Sequence, residues 1–120
     1  MKTINYDEFA DLCREHGMTP KMHIARQKGE WEYSLWVESS FGRGKADFKK
    51  EFSHSTICAH STVSPEDALE SLLKKCAETE IFVQKAFSKN SYDFSLKFNL
   101  EQNTFEKRIL EGEEANPIDI

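Results

Sequence analysis

The sequence contains no apolar run approaching the ~20 residues of a membrane span. The opening residues, Met1-Lys2-Thr3-Ile4-Asn5-Tyr6-Asp7-Glu8, carry no signal-peptide apolar stretch. No membrane partner is expected. There is no C-x-x-C pair, no H-E-x-x-H and no G-x-x-x-x-G-K-[ST], so the local signatures of zinc centres, zinc proteases and phosphate loops are absent. No cofactor is implied. Cysteine is scarce: Cys13, Cys58 and Cys76 are odd in number and far apart. That excludes a disulfide framework and fits reduced thiols in a cytoplasmic protein. No internal repeat or low-complexity segment is present.

What is present suits one packed domain. The 120 residues include nine Phe, three Tyr and two Trp, and disordered chains are poor in aromatics. One domain is expected over 1–111, with an acidic flexible tail at 112–120 that holds Pro117. The net charge of −5 is lopsided. Residues 1–60 balance nine cations against nine acids, and residues 61–120 carry the whole surplus. Within the neutral half, residues 21–50 are locally +3, from Lys21, Arg26, Lys28, Arg43, Lys45, Lys49 and Lys50 against four acids. Cationic clusters can track phosphate, whereas acidic surfaces repel it. This two-signed distribution suits a protein partner better than a nucleic acid.

Residues 5–16 predict a helix: Asn5 and Glu8 form a capping box, Ile4 and Phe9 a staple, Tyr6, Phe9, Leu12 and Cys13 an apolar stripe, and Gly17 a stop. Residues 21–27 and 31–39 predict strands joined by Lys28-Gly29-Glu30. The second alternates Trp31, Tyr33, Leu35 and Val37, expected in the core, against Ser34, Trp36 and Glu38. Residues 46–60 read as extended, with Phe48, Phe52 and Ile57 as core contacts. A second helix is capped by Ser64, with Pro65 at its first position and an inward stripe of Ala68, Leu69, Leu72, Leu73, Cys76 and Ala77. Residues 81–87 fit either helix or strand. Residues 92–100 alternate as a strand, and 104–110 complete a hairpin, with a short helix capped at Asn103 as the rival. The fold class is α+β: an α-β-β-β-α core with an antiparallel sheet, both helices on one face, and a C-terminal β-hairpin.

Three constellations carry possible chemistry. His54, Thr56, Cys58 and His60 share one parity of a strand, the pattern of a zinc site or a Cys–His pair. Both readings compete with a small buried cysteine among ordinary polar residues. Phe41-Gly42-Arg43-Gly44-Lys45 places two cations in a flexible connection. Trp36 falls opposite the expected core face, where an uncovered sheet would expose it as a contact residue, unless a second cluster covers it.

The order helix, three strands, helix resembles the double-stranded-RNA-binding domain. The likeness lies in Phe9-Ala10-Asp11-Leu12-Cys13-Arg14-Glu15-His16-Gly17-Met18-Thr19-Pro20 and in the strand pair Met22–Gln27 and Trp31–Ser39. That family grips phosphates with a lysine-rich start to its second helix. Here the position reads Ser64-Pro65-Glu66-Asp67-Ala68-Leu69-Glu70, so the resemblance implies a fold without the RNA-reading surface. Trp31/Tyr33 patterning, the Ser64-Pro65-Glu66-Asp67 start and the acidic tail also resemble small phage and mobile-element proteins, including anti-CRISPR inhibitors. The expected function is therefore non-enzymatic binding of a host protein or complex through Trp36, Glu38, Arg43, Lys45, Lys49, Lys50, Glu66, Asp67 and Glu70. The alternatives are nucleic-acid binding by the 21–50 region and a metal- or thiol-dependent enzyme at His54, Cys58 and His60.

Overall fold

The computed structural model describes residues 4–39, 44–48 and 56–117. Helix α1 spans Tyr6–Glu15. Asn5 accepts from the Glu8 amide, and the Glu8 side chain accepts from the Asn5 amide, closing the capping box. Strands β1 (Met18–Gln27) and β2 (Glu30–Ser39) follow as a long hairpin. Its two-residue turn, Lys28-Gly29, has both residues at positive φ, the geometry that matches strand twist. Next come β3 (Gly44–Phe48) and β4 (Thr56–Ser61), and then helix α2 (Pro65–Glu78), capped by Ser64 on the Asp67 amide. The chain ends in β5 (Ile81–Lys85), β6 (Phe94–Asn99) and β7 (Thr104–Ile109).

These strands build two antiparallel sheets, ordered β1-β2-β4 and β3-β5-β6-β7. The stretch expected as one extended run at 46–60 is therefore divided. β3 pairs with β5, with Phe48 opposite Ile81 and Ala46 opposite Val83, while β4 returns to β2. Ala46, Phe48 and Ile57 are all buried, so both parts face the same core. Phe52 and His54 lie outside the described residues. Residues 81–85 are strand, settling the ambiguity at 81–87, and 104–109 complete the hairpin with Asn103 in the left-handed region of its turn.

The two helices span both sheets rather than lying on one. Phe9 of α1 packs against Phe98 and Phe105 at centroid distances of 6.2 and 6.3 Å, and α1 also lies along β1. Leu69, Leu72, Leu73 and Cys76 of α2 are buried where that helix meets β2, β4 and β6. Truncating a fully buried leucine such as Leu72 to alanine costs about 2–5 kcal/mol. One cluster unites the inward residues of both sheets.

The expected core face of β2 holds at one end only. Leu35 and Val37 are fully buried, but Trp31 is 49% exposed, and Ile24, opposite Tyr33 on β1, is 48% exposed. β4 pairs with β2 only as far as Tyr33 opposite Ser61, so the hairpin tip projects past its support. The acidic segment expected as a tail is docked through Asn116. Ala115 is buried, its carbonyl accepts from the Tyr92 amide at 2.9 Å, and Asn116 Oδ1 accepts from the Ser91 amide at 2.9 Å.

Candidate functional site

Strand parity builds the first surface. The register sets Lys21, Trp36 and Cys58 abreast on β1, β2 and β4, with Thr19, Glu38 and Thr56 in the row to one side and His23, Ser34 and His60 in the row to the other. Directly opposed residues in antiparallel strands point to the same face. This face is the reverse of the one bearing Leu35, Val37, Ile57 and Ala59, against which the helices pack. Trp36 is half-buried in it. Its Nε1 donates to Glu38 Oε1 at 2.8 Å, and Lys21 Nζ pairs with Glu38 Oε2 at 3.0 Å. Both carboxylate oxygens are thus engaged. Hydrogen bonds from Lys21 and then Trp36 hold the Glu38 carboxyl below its ordinary value.

One row away, His60 Nδ1 lies 2.8 Å from Ser34 Oγ and 3.6 Å from Glu32 Oε1. A serine, a histidine and a carboxylate together invite a nucleophile reading, but a relay needs hydroxyl and carboxylate on opposite ring nitrogens. Here both address Nδ1. Cys58 and His60 do share a face of β4, as the parity implied. Among the described residues, however, no three His, Cys, Asp or Glu side chains converge to hold a metal. Cys13 and Cys76 are buried in the core, as expected from their helical stripes, and no cysteine is bonded to another.

The second surface is a cavity of about 710 Å³ where the starts of α1 and α2 meet the hairpin. Ile4, Tyr6, Met22, Val63, Pro65 and Leu69 give it apolar walls, and Glu66, Asp67 and Glu70 stand around it. Asp67 also accepts from the buried Ser61 hydroxyl at 2.7 Å, and Glu70 pairs with Lys74 at 3.5 Å.

The residues expected to form one contact patch are therefore distributed. Trp36 and Glu38 are together, Glu66, Asp67 and Glu70 belong to the cavity, and Lys45 lies on β3 opposite Gln84 in the other sheet. Arg43, Lys49 and Lys50 fall outside the described residues. The described cations of the 21–50 stretch do not pool either: Lys21 is on the Trp36 face, and Arg26 lies over the Trp31 ring at 5.6 Å.

No protein family, curated protein or solved structure matches this chain.

Sequence reasoning missed Lys21 as part of the Trp36 cluster; its parity relative to Trp36 appears only once the β1–β2 register is known. Among the described residues, no helix is long and apolar enough to cross a membrane.

Proposed function

We propose that this chain is a non-enzymatic protein-binding module, of the kind by which small phage inhibitors occupy host complexes, and that the Trp36 face makes the contact. One observation carries the reading: a large aromatic ring stands on the polar face of a sheet, tied in place by Glu38, whose other oxygen is held by Lys21. Tryptophan is enriched among residues that dominate binding energy, and fixing the ring beforehand reduces the ordering cost of association. The flanking Lys21, Glu38 and His60 provide a mixed-sign polar rim, which fits a protein surface better than a polyanion.

The test is a bacterial host lysate passed over immobilised protein, followed by titration of the captured component after purification. Trp36→Ala should weaken that complex at least ~10-fold, about 1.4 kcal/mol, without altering the far-ultraviolet circular dichroism. Equal affinity of Trp36→Ala and wild type would overturn the assignment of this face.

A further inference from the structure

The loop between β5 and β6 presents an aromatic side chain in an unusual way. Phe87 is fully exposed, and its backbone sits at φ +63. The Ser88 amide donates to the Lys85 carbonyl at 3.2 Å, so Lys85-Ala86-Phe87-Ser88 is a β-turn with Phe87 at its third position. Ala86 is not at positive φ, which gives the type II pattern, where glycine is the ordinary occupant. A bulky residue there is strained, and such strain persists only where the surroundings enforce it.

The surroundings do enforce it. Asp93 accepts from the Lys85 amide at 2.7 Å, from Ser88 Oγ at 2.7 Å and from Asn90 Nδ2 at 3.2 Å. Gln84 Nε2 donates to the Asn90 carbonyl at 2.9 Å, and Asn116 Nδ2 donates to Asn90 Oδ1 at 3.2 Å. A loop with this many internal bonds is a rigid mount. It holds a phenyl ring in solvent, flanked in sequence by Lys85 and Lys89, both exposed. Burial raises the Asp93 carboxyl, but the three donors outweigh it and hold the group ionised beneath the turn.

The same chain carries the complementary shape. The cavity at the starts of α1 and α2 has apolar walls and acids around it. Its volume of about 710 Å³ lies within the usual range of ligand pockets and is ample for one phenyl ring. Knob and cavity match in both respects that decide docking: an apolar ring meets apolar walls, and Lys85 and Lys89 meet Glu66 and Glu70. We infer that the occupant of the cavity is the Phe87 loop of a second copy of this chain. None of these residues is on the Trp36 face, so the inference stands or falls separately from the proposed function. Two different patches meet in such a contact. It closes as a dimer if each copy donates its loop to the other, and otherwise continues into a larger assembly.

Sedimentation velocity with the full chain, from ~10 µM to ~1 mM, tests this. The wild type should exceed the monomer mass at the upper concentrations. Phe87→Ala should lower the association constant at least ~10-fold. Phe87→Gly should do the same, and because glycine suits the turn, its loss of association is not attributable to unfolding. Reversing the acids with Glu66→Lys and Glu70→Lys should also give monomers. Mixing that double variant, which keeps the knob, with Phe87→Ala, which keeps the cavity, should restore a one-to-one heterodimer. A wild type that stays monomeric throughout overturns the inference, as does undiminished association of Phe87→Ala or failure of the mixed pair to associate.

Discussion

The Tyr92 hydroxyl donates to the Asp47 carboxylate at 2.5 Å, across 45 residues of sequence. It ties β3, an edge strand, to the segment leading into β6. Hydrogen bonds to a charged group contribute about 1.5–3 kcal/mol. Tyr92→Phe keeps the ring and its contact with Phe82 at 5.4 Å but removes the donor. Urea denaturation should show a loss of about 1.5 kcal/mol, with the slope unchanged. An unchanged midpoint would mean that this bond adds nothing to the attachment of β3.

Phe87→Gly should move stability in the other direction. Relief of the left-handed backbone is worth roughly 1 kcal/mol, partly offset by the greater freedom of glycine in the unfolded chain. The variant should therefore unfold at an equal or higher denaturant concentration. A clear drop would show that the ring contributes to the fold after all.

His16 supplies a pH dependence. Burial lowers its proton affinity most, the Lys107 ammonium lowers it further, and Glu15 offsets part of this. Its ring lies 5.8 Å from Phe105 and 6.5 Å from Phe94. Its folded-state value thus lies below the ordinary ~6.5, and the unfolded chain takes up this proton first as pH falls. The contribution is complete above ~6.5 and declines as pH drops through the folded-state value. Denaturation at about pH 7.5 and about pH 5.5 should show lower stability in acid, and His16→Gln should shrink the difference. Glu38, Glu80 and Asp93 are held below the ordinary carboxylate value, so their contributions are lost only at lower pH.

Thiol chemistry separates the cysteines. Burial raises the Cys13 thiol strongly, with neighbouring Cys76 adding to it, and burial pushes Cys76 up to about 12. Thiolates are the reactive form. Titration with a disulfide reagent should label only Cys58 quickly in the native protein and all three thiols in denaturant. Rapid native labelling of Cys13 or Cys76 would contradict the burial of both side chains in the core.

The features legible in the sequence are those set by neighbours along the chain. The Asn5–Glu8 box, the Ser64 cap, the β6–β7 hairpin and the outward parity of Trp36 all follow from spacing within a few residues. Pairing between strands distant along the chain was not legible. Nothing local to residues 44–48 distinguishes β2 from β5 as a partner, since Ala46 and Phe48 would bury against either. Trp31 has the alternation of a core residue, and its exposure depends on where β4 stops, some thirty residues later. The docking of Ala115 and Asn116 depends on the β5–β6 loop, which an acidic composition does not reveal. Phe87 is the reverse case: its turn neighbours are visible, but its backbone angle is a product of the Asp93 network.

The pairing of β3 with β5 governs the order in which this chain can fold as it is synthesised. β3 emerges before β4 and α2, yet its only strand partner among the described residues begins at Ile81. A nascent chain reaching the end of α2 holds every strand of the β1-β2-β4 sheet and a lone β3 whose Phe48 still lacks its opposite residue, Ile81. Non-local pairings of this kind fold slowly and leave apolar surface exposed meanwhile. The two sheets interleave along the sequence, so a cut after Thr79 would leave the β1-β2-β4 sheet whole but strip β3 of β5 and α1 of the Phe98 and Phe105 rings it packs against. Within the first two thirds of the chain, β3 therefore awaits the last third.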